Sequence, residues 1–177
     1  QEVGVLMGWW DCLGRRLGLK LNQRDQAFVN EHLDEAGQFL FSQMSLIDQR
    51  HTLRVARYIV QEAAFRRGID LKHLVQAALL HDAGKVKGEI NWGYRALVSI
   101  LRRLFPRLRD KWALRDKRFS FRYALYVDLV HAARGAYMAK SLGIAPEIVS
   151  LIKRHHDTLS GNYEPELALL QTADKKN

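Results

Sequence analysis

The sequence predicts an all-α fold. Its apolar residues recur at helical rather than alternating spacing, and glycines or prolines interrupt the pattern near Gly68, Pro106 and Gly143. The chain has 177 residues, of which 47% are hydrophobic, and this is enough to bury one core. The sequence contains no internal repeat and no low-complexity tract. We therefore expect a single domain built of consecutive helices.

Residues 1–40 are expected to form an N-terminal helical extension that packs on, or covers, the remaining domain at 41–177. The opening residues lack the basic region and small-residue cleavage site of a secretory signal peptide. The chain also lacks an uncharged apolar run of about 18 residues, the length that spans a bilayer. Its single cysteine, Cys12, cannot form an internal disulfide, which fits a reducing compartment. These features predict a cytoplasmic protein.

The next predicted helix carries His51 towards the interior. The inward-facing apolar stripe of this helix comprises Leu53, Val55, Ala56, Ile59 and Val60. Asp48 lies three residues before His51 and is expected either to cap the helix or to orient the imidazole.

A nearly continuous apolar run between Leu74 and Leu80 predicts a buried helix that ends at His81 and Asp82. Burying an imidazole and a carboxylate without partners would cost roughly several kcal/mol, whereas a metal ion would satisfy both groups. Imidazole and carboxylate ligands suit Zn, Fe, Mn or Co, and the absence of a cysteine cluster argues against a structural zinc site. We therefore predict that this pair helps to bind a divalent transition metal.

Further histidines and an aspartate follow in an order that resembles the HD superfamily of metal-dependent phosphohydrolases. The resemblance rests on His51, the pair His81 and Asp82, His131 at the start of an H-x-x-x-G pattern, His155 after an apolar helix, and Asp174. It covers about residues 40–177, and the two later histidines resemble additional ligands of the binuclear branch. The resemblance implies an HD-domain helical bundle.

The resemblance also implies two metal sites. One ion would be held by His51, His81, Asp82 and Asp174, and Asp82 would bridge to a second ion held by His131 and His155. His156 is either another ligand of the second ion or a supporting residue hydrogen-bonded to Asp157. Consecutive helical residues point about 100° apart, so His155 and His156 can both be ligands only if the helix ends or distorts there. Fe, Mn, Co, Ni and Zn all stay candidates for the two ions.

Two cations that share a carboxylate would activate water and stabilise charge on a phosphoryl group. The resemblance thus implies hydrolysis of a phosphate ester, most plausibly of a nucleotide or dinucleotide, with Asp82 and Lys85 as catalytic residues. Lys85 would also bind the substrate phosphate, and Arg134 and Arg54 are further candidates for that role. Ile47 stands where some trinuclear relatives have Glu, which argues against a third ion.

Two other functions stay open from the sequence. A few proteins of this fold hold a mixed-valent diiron centre with nearly the same ligands and oxidise substrates with O₂, and iron accepts this ligand set. A non-catalytic nucleotide-binding sensor is the other alternative, although the intact ligand set argues against it. His32 and His73 fall outside the ordered series, and we expect packing or surface roles for them.

Positive charge is concentrated between His81 and His131. Residues 85–122 contain twelve Lys or Arg and three Asp or Glu, so the whole formal net charge of +9 lies in this stretch. We predict a basic helical insertion at about residues 87–125. It could form a wall of the substrate cleft that attracts polyanions, or contact an anionic membrane or nucleic acid. The third alternative is a solvated basic face with an apolar underside packed on the bundle.

Overall fold

The computed structural model describes residues 20–63, 68–90, 92–118, 120–159 and 164–177. Within these ranges the chain forms α-helices and no β-strand, which confirms the predicted all-α fold. The helices are α1 (Gln23–His32), α2 (Glu35–Ser42), α3 (Leu46–Ala63), α4 (Leu71–Leu80), α5 (Trp92–Leu104), α6 (Pro106–Trp112), α7 (Ser120–Ser141), α8 (Pro146–Arg154) and α9 (Pro165–Lys176). Among these described helices, none is both long and apolar enough to cross a bilayer.

Helix α4 lies at the centre of the main core. It packs against α1, α2, α3, α8 and α9. Its buried residues are Leu74, Val75, Ala77, Ala78, Leu79 and Leu80. The last turn of this helix is apolar on all sides, and such a segment is stable only when other helices surround it, which explains its position. The prediction of a buried helix that delivers His81 into the domain is confirmed.

Helices α1 and α2 contribute to the same core. Each starts at a side-chain cap, since Asn22 Oδ1 accepts a hydrogen bond from Asp25 N and Asp34 Oδ1 accepts one from Gly37 N, both at 2.8 Å. They bury Val29, Leu40 and Phe41 in the main cluster. The described part of the predicted extension therefore packs on the bundle. Residues 1–19 of that extension lie outside the described residues, and the domain boundary at residue 40 stays a prediction.

Helix α3 is capped by Ser45, one residue before its first turn. The Asp48 N–H donates to Ser45 Oγ at 3.3 Å, and the Ser45 hydroxyl donates to Asp48 Oδ2 at 2.7 Å. This reciprocal pair resembles a capping box. Asp48 thus lies inside the first turn of α3 and takes part in the cap through Ser45, while the alternative role of orienting His51 stays a prediction.

The basic insertion has its own small core. Helices α5 and α6 pack against α7. The second hydrophobic cluster comprises Ile90, Val98, Tyr123, Ala124, Leu125 and Val127. The opposite side of α5 exposes Leu97, Ile100 and Leu104. The packed underside agrees with the third alternative for this segment, whereas contact with a membrane or nucleic acid stays a prediction.

Two glycines bring the loop after α4 directly onto α7. A Cβ added at Gly84 would collide with the carbonyl oxygen of His131, and one added at Gly135 would lie 3.0 Å from Gly84 N. Gly135 follows His131 by four residues, so the two positions share one face of α7. The glycine of the H-x-x-x-G pattern therefore lets the His81–Asp82 turn approach the part of α7 that carries His131.

We predict that Gly84→Ala lowers the free energy of unfolding by about 3 kcal/mol, because the new methyl group meets rigid backbone. Gly88→Ala is the matched control. Gly88 has a φ of +86° and open space around its Cα, so the control should lose only about 1 kcal/mol to backbone strain. Urea denaturation of both variants measures the difference, and equal losses would contradict the close-approach explanation.

Candidate metal centre

The seven predicted metal ligands converge on one region of the bundle. They form three overlapping groups, in each of which one ligand atom per residue lies within 4.8 Å of the others: His51, His81 and Asp174; His81, Asp82 and His155; and His131, His155 and His156. They come from α3, the turn after α4, α7, the turn after α8, and α9. The ordered series in the sequence is thus a single constellation in space.

Three of the imidazoles are held in the same way. His81, His131 and His155 are buried, and the Nδ1 of each lies against the carbonyl oxygen three residues earlier. These contacts are His81 with Ala78 at 2.8 Å, His131 with Asp128 at 2.6 Å and His155 with Ile152 at 2.7 Å. A carbonyl oxygen can only accept, so Nδ1 donates its proton in each case. When the ring is neutral, Nε2 carries a lone pair directed into the site.

These nitrogens lack ordinary hydrogen-bond donors. Among the described residues, His81 Nε2 is the buried side-chain polar atom without a hydrogen-bond partner. His131 Nε2 lies 3.2 Å from the Nε2 atoms of both His155 and His156. His131 and His155 hold their protons on Nδ1 when neutral, so the contact between their Nε2 atoms brings two lone pairs together, which repel. A cation removes both problems, because it accepts several nitrogen lone pairs at once. The donor set therefore fits a transition metal.

The two aspartates lie beside these nitrogens. Asp82 Oδ1 is 3.3 Å from His131 Nε2, and Asp82 Oδ2 is 3.9 Å from His81 Nε2. Asp174 Oδ1 is 2.9 Å from His51 Nε2 and 3.6 Å from His81 Nε2. Asp82 thus stands between the two ends of the constellation, where a bridging ligand would have to be. Asp174 belongs to the end that contains His51.

The electrostatic environment favours neutral imidazoles at the end that contains His131. Burial, and then the Lys85 ammonium, lowers the pKa of His131. Burial, followed by repulsion from His81 and His156, holds the pKa of His155 well below its usual value. His156 lies at the cavity rim with part of its surface in solvent. Loss of solvation around its ring, together with His131, lowers its pKa to about 4. Unprotonated nitrogens are the form that binds metal.

The charges near His81 act in the opposite direction. Burial alone would lower the pKa of His81, but Asp82 and Asp174 outweigh burial and raise it. Burial also opposes ionisation of Asp82, yet Lys85 and His81 keep its pKa well below the usual range. The pKa of Asp174 is lowered too, because the hydrogen bond with His51 and the nearby His81 ring outweigh its burial. Both carboxylates are therefore ionised at neutral pH, and metal binding must displace any proton on His81 Nε2.

The helix that precedes the paired histidines ends directly before them, as it must end or distort if both are to be ligands. Helix α8 ends at Arg154, and His155 is its C-cap, so His155 and His156 both reach His131. Asp157 lies 3.7 Å from the Arg154 guanidinium, and its backbone carbonyl accepts a hydrogen bond from Gln171 at 2.8 Å. These contacts favour His156 as a ligand over the alternative in which Asp157 supports it.

A cavity of about 1070 Å³ opens over the constellation, a volume in the range of sites that bind drug-sized molecules. The predicted residues that line it are His51, Arg54, Asp82, Lys85, His155, His156 and Asp174. Lys85 Nζ contacts both oxygens of Asp82, at 2.8 and 2.9 Å. Arg54 Nη2 donates to the Asn177 carbonyl oxygen at 3.2 Å.

Arg134 is not among the described residues that line this cavity. Its guanidinium donates to the two oxygens of Glu89 at 2.6 and 3.1 Å, and Glu89 also accepts from the Tyr123 hydroxyl. Its position therefore gives no support to the predicted role in substrate binding. His32 and His73 have local partners, as expected, since His32 Nδ1 contacts the Phe28 carbonyl oxygen and His73 pairs with Asp70.

Several residues that line the cavity were not selected from the sequence as site residues, and two of them form an ion pair. Arg102 and Asp128 both line it, and Asp128 is buried. Arg102 follows Val98 by four residues and Ser99 by three, and all three line the cavity on α5. The spacing shows that they share a helix face, but only the packing of α5 shows that this face is the one towards the metal centre.

Comparisons with models of protein families, with characterised proteins and with solved structures gave no match. The resemblance to the HD superfamily therefore stays a hypothesis that rests on the ordered ligand series. The convergence of those residues in the fold is an independent observation, and the function has to be argued from it.

We predict that Asp82→Ala retains close to no transition metal, because both ends of the site lose their shared anionic ligand. His131→Ala should retain close to one ion per chain, since His51, His81, Asp82 and Asp174 are unchanged. The measurement is metal content by mass spectrometry after loading with Mn²⁺ and gel filtration.

His73→Ala is the matched control, because His73 pairs with Asp70 and is outside the three ligand groups. It should bind as much metal as the wild type. A His131→Ala protein that keeps the full wild-type metal content would show that His131 is not a ligand and would contradict the two-ion assignment.

Proposed function

We propose that the protein is a metal-dependent phosphohydrolase of the HD type, which cleaves a phosphate ester of a nucleotide or dinucleotide. The observation that carries this proposal is the convergence of five imidazoles and two aspartates beside a large cavity, with the Nε2 atom of His131 only 3.2 Å from two other imidazole nitrogens. Imidazole and carboxylate ligands without thiolates are typical of catalytic rather than structural metal sites.

The ligand groups support two ions that share Asp82. His51, His81 and Asp174 would hold one ion, and His131, His155 and His156 would hold the other. Such ions supply Lewis acidity towards a phosphoryl oxygen and lower the pKa of a water molecule, which together allow hydrolysis without a covalent enzyme intermediate.

The charge of the cavity supports an anionic substrate once metal is bound. The described residues that line it include four cationic side chains and five carboxylates: Arg54, Lys85, Arg102 and Lys175, with Asp48, Asp82, Asp128, Asp157 and Asp174. Four positive and five negative charges give a formal sum of −1, and two divalent ions change this to +3. A cavity of that charge attracts phosphate esters.

Lys85 has two roles in this proposal. Its ammonium bonds to both Asp82 oxygens, so it fixes the orientation of the carboxylate that the two ends of the site share. An ammonium has three donors, and Lys85 lines the cavity, so a donor can also bind a phosphoryl oxygen. It would then stabilise the charge that develops on the phosphoryl group during hydrolysis.

The proposal is tested by loading the purified protein with Mn²⁺, Co²⁺, Ni²⁺ or Fe²⁺ and measuring phosphate-ester cleavage across nucleotides, dinucleotides and simple phosphodiesters. We expect turnover with at least one metal and its loss on chelation. Oxygen uptake by the iron-loaded protein without phosphate-ester cleavage would instead support the diiron oxygenase. Tight nucleotide binding by correctly metallated protein, without consumption, would support the sensor.

We further predict that Lys85→Gln lowers kcat by about 10²-fold, the size of effect seen when one donor to a developing oxyanion is removed. Lys87→Gln is the matched control, because Lys87 is exposed and its ammonium donates to the Ser42 carbonyl oxygen instead of lining the cavity. Its kcat should stay within about twofold of the wild type. Steady-state kinetics on the same substrate compares the two variants, and similar losses in both would exclude a specific role for Lys85.

A further inference from the structure

A buried carboxylate ties both helices of the basic insertion to the metal-binding helix α7. Asp128 is 5% exposed and accepts hydrogen bonds from Arg109 Nη1 at 3.2 Å and from Arg102 Nη1 at 3.5 Å. Arg102 belongs to α5 and Arg109 to α6. A buried carboxylate is stable only when it is paired, so Asp128 fixes the position of both guanidinium groups.

The same residue also orients a predicted metal ligand. The carbonyl oxygen of Asp128 accepts the hydrogen bond from His131 Nδ1 at 2.6 Å. The side chain of Asp128 therefore holds the insertion, while its backbone sets the direction of the His131 ring. Through this one residue, the wall of the cavity that α5 forms is placed in a fixed position relative to the metal centre.

The two arginines contact the Asp128 carboxylate at different distances. Arg109 makes the shorter contact with Asp128 and also pairs with Asp110 at 2.7 Å. Arg102 has one hydrogen bond to a described residue, at the long limit of 3.5 Å, and its side chain is 35% exposed. A guanidinium carries five N–H donors. Arg102 therefore has donors left for a ligand in the cavity that it lines.

We propose that Arg102 is a specificity-determining residue that binds a second anionic group of the substrate, separate from the phosphoryl group that is hydrolysed, and that Asp128 positions it. This inference rests on the proposed function. Lys85 and the bound metals would hold the reacting phosphoryl group, whereas Arg102 lies close enough to His156 for its charge to help lower the pKa of that imidazole but forms its described hydrogen bond with Asp128. The favoured substrates are phosphate esters that carry another phosphate or a carboxylate.

The size of the cavity agrees with such a substrate. One phosphoryl group fills a small part of about 1070 Å³. Beside Arg102 on α5, the wall includes Val98 and Ser99, and Ile90 lies on the same side before α5. The aliphatic side chains of Ile90 and Val98 next to the Arg102 guanidinium fit a molecule whose two anionic ends are separated by a less polar linker.

The test uses non-hydrolysable probes in matched pairs: carboxyalkylphosphonates of increasing chain length, each compared with the alkylphosphonate of the same length. Isothermal titration calorimetry with Mn²⁺-loaded protein gives the gain in affinity that the carboxylate provides. In wild type we expect that gain to be at least about tenfold for the best chain length, the usual size for a hydrogen bond to a charged group.

In Arg102→Gln the gain from the carboxylate should disappear, while the matched alkylphosphonate still binds and the metal content stays at the wild-type value. Asp128→Asn should reduce the gain without abolishing phosphonate binding, because Arg102 keeps its charge but loses its ionic partner. Arg107→Gln is the control, since Arg107 is exposed on α6 and outside the cavity lining, and its gain should equal that of wild type.

Two results would overturn the proposal: no carboxylate-dependent gain at any chain length in wild type, or a gain that survives Arg102→Gln. Turnover of phosphate esters, measured on the same preparations, tests the proposed function separately. Hydrolysis with no effect of Arg102 on the gain refutes only the anion subsite. An Arg102-dependent gain in a protein that hydrolyses nothing refutes only the hydrolase.

Discussion

The structure depends on one unfavourable arrangement: buried imidazoles whose Nε2 atoms, when the rings are neutral, are hydrogen-bond acceptors that lie close together. His131 Nε2 lies 3.2 Å from two other imidazole nitrogens, and His81 Nε2 has no donor among the described residues. A protein interior accommodates such acceptors only when something else binds them. A shared cation satisfies all of them at once, and the neighbouring carboxylates balance its charge. We therefore infer that this arrangement binds a metal ion.

Two of the buried imidazoles are held at the C-terminal ends of helices. His81 and His155 follow directly after α4 and α8, where backbone carbonyls of the last turn have no partner within the helix. Each ring uses one of these carbonyls to fix its Nδ1 proton, so the orientation needs no further side chain. His131 obtains the same contact inside α7, and Gly84 and Gly135 allow the loop after α4 to reach it. Local hydrogen bonds thus set the direction of each ring, and close packing sets the distance between them.

Features that depend on local periodicity could be predicted from the sequence. The all-α fold, the buried α4 and the end of α8 at His155 follow from apolar spacing and from the positions of polar residues after apolar runs. The convergence of the ligands was predicted only through their order, because no local pattern shows that His51 meets Asp174 at 2.9 Å. Arg134 was assigned to the substrate because it lies within the H-x-x-x-G segment, and its partner Glu89, 45 positions away, could not be identified from the sequence. Arg102 and Asp128 could not be identified from the sequence for the same reason, because their importance comes from an ion pair between different helices.

The most direct test of the central claim is anomalous X-ray diffraction from crystals of the Mn²⁺-loaded protein. The account predicts two anomalous peaks on the floor of the cavity. One should be bound by Nε2 of His51 and His81 and by Asp174, the other by Nε2 of His131 and His155, and Asp82 should contact both. Absence of any peak in the cavity, or coordination through Nδ1 of the three buried histidines, would contradict the account, because Nδ1 is the atom that each ring uses to hold its orientation.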